Sequence, residues 1–105
     1  IEEALLNAEV VFIVVPSETM EFTISFVARS IKHNIVVVNV SKGVEPDSLR
    51  LITYIIMKHL RPHFRKNMVT ISGPSIVQQM IAKTYTAMNI FSKNRRVIKQ
   101  VQKVL

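Results

Sequence analysis

One cationic side chain in this sequence stands where it could act on a bound anion. Lys42 follows the β-branched run Ile35–Val40 and precedes Gly43, which frees the turn. A lysine at the end of a strand can direct its ammonium group at a phosphate, or at an oxygen that gains negative charge during hydride transfer. A solvated loop lysine has the same local pattern, so the residue types alone leave both interpretations open.

Two further turns carry small residues that would let a ligand approach the backbone. Ser72-Gly73-Pro74-Ser75 joins a predicted strand to a predicted helix, where free amides, the helix dipole and the Ser75 hydroxyl could receive an anion. Pro16-Ser17 ends an earlier apolar run. Helix capping uses the same residue types, so each turn is also explained without a ligand.

The elements that must position these turns are read from the spacing of apolar residues. Continuous β-branched runs are typical of strands that are covered on both faces. They predict strands at Glu9–Val15, Ile35–Val40 and Met68–Ile71, with a fourth near Tyr85–Phe91.

Helical spacing occupies the segments between these strands. It predicts a helix from Glu18 to Lys32 with Ser17 as its N-cap, and another that opens at Pro46 and ends before Pro62 with Leu49 in its apolar stripe. A short helix is expected over Ile76–Lys83. A last basic helix is expected to turn four apolar residues inward: Val97, Ile98, Val101 and Leu105.

Strands that alternate with helices favour one fold class. The pattern predicts an α/β, Rossmann-like fold, with a mostly parallel sheet and helices on both faces. Ligands in such sheets lie at the carboxyl ends of the strands, where the three turns would meet. The sequence opens at Ile1 in what reads as a helix already in progress. We therefore expect residues 1–105 to form one partial domain, truncated at its N-terminus.

The charge is strongly positive, which raises the question of a nucleic-acid partner. The formal charge is +7, and basic residues concentrate in 58–66 and 93–103. Because no aromatic side chains are interleaved for base stacking, we interpret both clusters as solvated helix surfaces and do not expect a nucleic-acid partner.

Other partners and compartments are constrained by what the composition lacks. The sequence has no cysteine and no apolar run near the roughly 18 residues that cross a bilayer. We expect no membrane span and, by default, a cytoplasmic location. His33, His59 and His63 lack metal-ligand spacing, so they are interpreted as surface residues and no metal is expected.

The three turns together resemble a known family. Val14-Val15-Pro16-Ser17, Ser41-Lys42-Gly43-Val44-Glu45-Pro46 and Ile71-Ser72-Gly73-Pro74-Ser75, at these separations, are similar to the middle of bacterial-type NAD(P)-dependent glycerol-3-phosphate dehydrogenase. The similarity continues through Thr86-Ala87. Each piece would be weak alone, whereas the combination is fairly specific.

The resemblance implies an oxidoreductase that uses NAD or NADP. It would transfer a hydride between sn-glycerol 3-phosphate and dihydroxyacetone phosphate and supply glycerol phosphate for phospholipids. By this resemblance Lys42 is catalytic and faces both substrate and cofactor. Substrate-binding positions are Lys42, Gly73 and Ser75, and cofactor-binding positions are Pro16, Ser17, Lys42 and Val77.

The sequence also departs from that family. Gln79 stands where glutamate is usual, Tyr85 where proline precedes the Thr-Ala pair, and Val77 where alanine is common. The family's Gly-x-Gly-x-x-Gly loop and its C-terminal helical domain, with a second catalytic lysine, have no counterpart in these residues. We therefore expect the 105 residues alone to be inactive. The oligomeric state stays open, with a homodimer as one option for a full-length protein.

Two other function classes remain open at this point. Another Rossmann hydroxy-acid dehydrogenase would share the strands but should lack the Ser-Gly-Pro-Ser turn. A non-catalytic basic module that binds nucleic acid would show binding that weakens steeply with salt. The choice between NAD and NADP is undecided, since the residue that reads the ribose 2′ position lies upstream in this architecture.

Overall fold

The computed structural model describes residues 1–74 and 77–105. The strands in these residues are β1 (Val10–Ile13), β2 (Val36–Asn39), β3 (Met68–Ser72) and β4 (Asn89–Phe91). The α-helices are α1 (Glu2–Leu5), α2 (Met20–Ser30), α3 (Ile52–His59), α4 (Val77–Ile81) and α5 (Arg95–Val104). Two 3₁₀ helices span Ser17–Thr19 and Pro62–Asn67.

The four strands form one sheet in the order β1-β2-β3-β4. β1 and β3 flank β2 in parallel, with Val11 opposite Val37 and Val38 opposite Val69. The predicted α/β class, with its first three strands mutually parallel, is confirmed. The crossovers that parallel pairing requires are carried by α2 and α3.

The fourth strand runs antiparallel to β3, so the sheet is mostly parallel, as predicted. Ile71 lies opposite Ile90 and Ser72 opposite Asn89. The five residues of α4 rise only about 7.5 Å along a helix and do not carry the chain across the sheet. The segment before β4 lies against the β3 exit, since a Cβ on Gly73 would approach the Ala87 carbonyl oxygen, so the chain re-enters the sheet at the edge where it left.

Helices cover both faces of the sheet, as predicted. On one face α2 and α3 pack over Ile13, Val37 and Met68. On the other face Val97 and Val101 of α5 pack against Val36, Val38, Val69 and Ile71. Consecutive residues of β2 thus enter opposite cores, which explains why its β-branched run does not alternate with polar residues.

The helix expected to open at Pro46 instead begins at Ile52, so that prediction was wrong. The Glu45 carboxylate accepts hydrogen bonds from the backbone N–H groups of Asp47 and Ser48, at 3.2 and 2.6 Å. These bonds hold a turn that brings Leu49 to a positive φ of 53° with 74% of its surface exposed. A side-chain-to-backbone turn has therefore displaced the first helical turn.

Smaller boundary predictions also need correction. Ser17 is not a helix cap, because Pro16 precedes the 3₁₀ helix and Thr19 precedes α2, neither with a capping side-chain bond. Tyr85 is fully exposed and lies outside β4. Leu105 is 63% exposed, whereas Val97 and Val101 are buried as predicted. The short helix expected over Ile76–Lys83 covers Val77–Ile81.

One ion-pair cluster joins the start of α2 to the end of α3. The Glu21 carboxylate lies 3.1 Å from His59 Nε2 and 3.4 Å from Lys58 Nζ. Hydrogen bonds from His59 and then from Lys58 hold the pKa of Glu21 below its usual value. The cluster is exposed, so it fixes helix register more than it contributes to stability. In the described residues, no helix is long and apolar enough to cross a membrane.

Shortening a buried side chain of α3 should destabilise the fold. Ile56 is fully buried, so Ile56→Ala should lower the free energy of unfolding by about 2–5 kcal/mol through lost burial and an unfilled cavity. Ile81 offers a matched control because it is 76% exposed. Urea denaturation followed by circular dichroism would measure both. Equal losses for the two variants would contradict this placement of the core.

Candidate functional site

The carboxyl ends of the three parallel strands meet at one edge of the sheet. Because β1, β2 and β3 share a direction, the turns after Ile13, Asn39 and Ser72 all leave at this edge. The start of β4 lies there too, since Asn89 is opposite Ser72. The parallel register therefore brings together the three turns that the sequence singled out.

Ser41 ties the exits of β1 and β2 to each other. Its hydroxyl donates to the Val15 carbonyl at 2.7 Å and accepts from the Val15 backbone N–H at 3.0 Å. A single side chain thus satisfies both backbone groups of Val15 beyond the last residue of β1. The bonds fix the position from which Pro16-Ser17 and Lys42-Gly43 both start.

Asn39 supports the same connection from inside the sheet. It is the buried polar residue at the end of β2, with 1% of its surface exposed. Its side-chain oxygen accepts from the Ser41 backbone N–H at 3.0 Å. A buried amide in this position turns the chain at the strand end and orients Ser41 toward β1.

The sequence did not predict that Asn39 and Ser41 hold the ends of β1 and β2 together. Asn39 interrupts the run Val36-Val37-Val38, and Ser41 comes two residues later. A polar residue inside an otherwise β-branched strand is the signal that could have found them, because burial of an amide requires a hydrogen-bonding partner.

Lys42 lies directly after this hydrogen-bonded connection and is exposed. Its backbone position is fixed on one side by Ser41, whose hydroxyl is bound to β1. On the other side Gly43 adopts φ = +95°, a conformation that favours glycine. The four-carbon side chain therefore extends from a well-defined point on the carboxyl edge.

The turn after Gly43 carries the carboxylate that follows Lys42 most closely in sequence. Glu45 is held by hydrogen bonds from the Ser48 side chain and backbone, and then from the Asp47 backbone, which lower its pKa. The carboxylate therefore stays ionised and engaged in its own turn. It stabilises the loop around Gly43 rather than presenting a general base.

The two glycines at this edge serve different purposes. A Cβ added at Gly43 would meet nothing within 4 Å, so only its positive φ restricts the residue. A Cβ added at Gly73 would approach the Ala87 carbonyl oxygen to 2.6 Å. Gly73 therefore lets the β3 exit pack against the backbone of the segment that leads into β4.

The remaining predicted site positions differ in how far they can be placed. Pro16 precedes the 3₁₀ helix Ser17–Thr19 at the exit of β1. Ser75 lies outside the described residues, and so does the side chain of Val77, the first residue of α4. The structure thus brings Pro16, Ser17, Lys42 and Gly73 to one edge. It leaves the proposed contacts of Ser75 and Val77 undescribed.

No three of the His, Cys, Asp and Glu residues in the described ranges are grouped to hold a metal ion. What this edge does offer is a cation, backbone groups in tight turns and a glycine with open space around it. These are groups that bind phosphate esters and polarised oxygens.

A family model matches most of the sequence. It describes the NAD-dependent glycerol-3-phosphate dehydrogenase N-terminus and matches residues 1–98. Among curated relatives, glycerol-3-phosphate dehydrogenase (NAD(P)+) of Streptococcus pneumoniae, in strains JJA and CGSP14, is 29% identical over 102 residues. That match covers 97% of this chain and 30% of each relative.

A solved structure has the same architecture. The crystal structure of glycerol-3-phosphate dehydrogenase from Coxiella burnetii superimposes with a TM-score of 0.81 at 26% identity, over 96% of this chain and 30% of that one. The chain therefore spans about a third of the length of the relatives it matches.

Removal of the Ser41 hydroxyl should loosen the carboxyl edge. Ser41→Ala leaves both backbone groups of Val15 without their side-chain partner, at an expected cost of about 1–3 kcal/mol in the free energy of unfolding. Amide hydrogen exchange at Val15 should become faster. Ser25→Ala is the control, since its exposed hydroxyl bonds only within α2. Unchanged protection at Val15 would show that Ser41 does not hold the two exits together.

Alanine substitutions should show that Gly73 is required for close packing and Gly43 for its backbone conformation. Gly73→Ala is expected to cost about 1–3 kcal/mol and to shift the amide resonances of Ala87 and Met88, because the new methyl group collides with that backbone. Gly43→Ala is expected to cost about 1–2 kcal/mol through its positive φ and to leave those resonances in place. Two-dimensional amide spectra and denaturation curves test both. Identical spectra for Gly73→Ala and the parent would refute the close contact.

Proposed function

The chain belongs to the NAD-dependent glycerol-3-phosphate dehydrogenase family through its N-terminal domain, and from this premise we propose its function. It forms the later part of a dinucleotide-binding domain in an enzyme that interconverts dihydroxyacetone phosphate and sn-glycerol 3-phosphate. The nicotinamide cofactor, NAD or NADP, supplies or accepts the hydride when it is bound. The observation that carries this proposal is Lys42 on the carboxyl edge, in a sheet of this family's architecture.

The carboxyl edge is suited to a dinucleotide and a phosphorylated substrate. In open parallel sheets the ligand lies outside the carboxyl ends of the strands, where loops and helix N-termini converge. Pro16, Ser17 and Lys42 would lie along the cofactor, with Val77 as a further contact. The open space around Gly43 and the exposure of Lys42 are compatible with a ligand at this edge.

The pyrophosphate must be bound mainly by residues outside this chain. The 105 residues hold only Gly43 and Gly73, so they cannot form the three-glycine loop that cradles a pyrophosphate at a helix N-terminus. The domain therefore acts as one wall of a cleft. Affinity for the dinucleotide comes only when the other wall is present, and residues 1–105 alone are expected to be inactive.

Lys42 would be the catalytic residue of this wall. Its ammonium group donates to the substrate oxygen that gains negative charge as hydride reaches the neighbouring carbon, which lowers the energy of that charge. Gly73 and Ser75 would bound the substrate on the side of β3. The Asn39-Ser41 connection supports Lys42 by fixing its backbone, so these two act as positioning residues.

In the cell, the product would be glycerol phosphate destined for phospholipids, made in the cytoplasm. This role rests on the family relationship together with a sequence that lacks cysteine. Dimerisation of a full-length protein is compatible with it but has no particular support in these residues.

The proposal is tested by replacing Lys42 in a completed enzyme. Residues 1–98 would replace the matching segment of the pneumococcal relative, and oxidation of NADH and NADPH by dihydroxyacetone phosphate would be followed by absorbance. Lys42→Ala should lower kcat about 10²-fold or more, the scale expected for loss of one preorganised stabilising donor. The substrate KM should change less than kcat.

Two variants control for charge and for fold. Lys32→Ala removes an exposed lysine at the end of α2, remote from the carboxyl edge, and should leave turnover within twofold of the parent. Lys42→Arg keeps the charge on a different head group and should recover only part of the activity. If the Lys42→Ala enzyme were as active as the Lys32→Ala enzyme, Lys42 would be a solvated loop residue without a catalytic role.

A further inference from the structure

Charge is segregated along this chain to an unusual degree. All seven carboxylates lie between Glu2 and Asp47, whereas eleven of the 14 lysines and arginines lie between Arg50 and Lys103. The second half of the sequence thus has no acidic side chain. Glu21 forms ion pairs with Lys58 and His59.

Four of these cations form a stripe on α5. With 3.6 residues per turn, Arg95, Arg96, Lys99 and Lys103 fall on one side of the helix, opposite Val97 and Val101, which are buried against the sheet. The stripe therefore points directly away from the core. The amides of Gln100 and Gln102 flank it on its two sides.

A cavity adjoins this stripe. The side chains of Arg95, Arg96, Lys99, Gln100 and Lys103 enclose shallow space of about 490 Å³ on the surface of α5 itself. A cavity of about 470 Å³ lies between α5 and other elements, shares Arg96 and Gln100 with that surface and adds Lys66, Asn67 and Asn94. This cavity and the cationic surface beside it, together called the α5 groove, carry five cations and several amides. Glu9 is the one carboxylate in its walls.

We propose that this α5 groove binds the phosphate backbone of a single-stranded nucleic acid without reading its bases. A flexible strand can follow a narrow path, with phosphates on the lysines and arginines and amides on sugar or base edges. Nucleic acid was not expected from the sequence because no aromatic side chains are interleaved with the basic residues. That lack removes base stacking, and with it sequence preference, but leaves phosphate contacts intact.

The groove favours such a strand over an anionic membrane surface. A bilayer is flat on this scale and cannot enter the cavity between α5 and the 3₁₀ helix Pro62–Asn67. A membrane-binding helix also presents a broad apolar face beside its cations, whereas Val97 and Val101 are inside the core and the exposed apolar residues of this helix, Val104 and Leu105, lie at its end. Amide-lined walls suit hydrogen bonding to sugars and bases instead.

The deeper part of the α5 groove lies away from the carboxyl edge. Residues that precede the strands, Glu9 before β1, Asn34 before β2 and Asn67 before β3, line its deeper part. This deeper part therefore opens at the amino ends of the strands, opposite the edge that carries Lys42. A strand bound in this part would not occupy the proposed cofactor site.

Fluorescence anisotropy with a labelled oligothymidine of about 16 nucleotides tests the proposal on the 105-residue chain. The measured Kd should rise about 20- to 50-fold between 50 and 200 mM salt, as expected for three to four phosphate contacts to a single strand. The double variant Lys99→Glu with Lys103→Glu should weaken binding at least tenfold at the lower salt concentration.

Matched variants distinguish the groove from overall charge. Lys32→Glu with Lys83→Glu changes the net charge by the same amount on exposed positions outside the groove, and should change Kd less than threefold. Circular dichroism would reveal whether the charge reversal unfolds the chain. If it does, the milder double variant Lys99→Gln with Lys103→Gln replaces it and should still weaken binding several-fold.

Three results would overturn the proposal. They are an absence of strand binding at low salt, an equal loss of affinity in the groove and control variants, and tighter binding to phosphatidylserine-rich vesicles than to the strand. None of them bears on Lys42 or on turnover of the completed enzyme. The proposed dehydrogenase function therefore stands or fails separately.

Discussion

The hydroxyl of Ser41 is the contact on which the carboxyl edge depends. It donates to one backbone group of Val15 and accepts from the other, so the chain beyond β1 stays attached to the chain beyond β2. Asn39 holds Ser41 in place from a fully buried position. Without these bonds the two turns would not be attached to each other, and the backbone from which the Lys42 side chain extends would not be fixed.

The edge is completed by close packing on the side of β3. Gly73 lets the β3 exit lie against the backbone of Ala87, so the segment that leads into β4 forms a wall of the same edge. The antiparallel entry of β4 follows from this geometry, since Asn89 pairs with Ser72 where β3 ends. The antiparallel entry of β4 therefore brings a fourth segment to the carboxyl edge.

The two ends of the sheet have different chemistry. The carboxyl edge combines backbone groups with Lys42 and a neighbouring carboxylate, Glu45, that is engaged in its own turn. The amino edge and α5 combine amides with five of the 14 lysines and arginines. One edge is suited to small phosphorylated ligands and the other to an extended polyanion.

The sequence by itself determined the parts of the fold that depend on local periodicity. Runs rich in β-branched residues located β1, β2 and β3, although Phe12 of β1 is exposed and not covered. The strand-end position of Lys42 followed from the same pattern. The family resemblance supplied its proposed role, and residues 1–98 do match that family.

Tertiary structure alone decided what depends on partners distant in sequence. Ser41 bonds a residue 26 positions away, and the Gly73 contact joins the exit of β3 to the segment before β4, so neither is visible in a local pattern. The helix expected at Pro46 failed because the Glu45 carboxylate competes for the backbone N–H groups of Asp47 and Ser48. The groove on α5 likewise required Lys66 and Arg96 to meet across about thirty residues of chain, which only the packing of α5 on the sheet achieves.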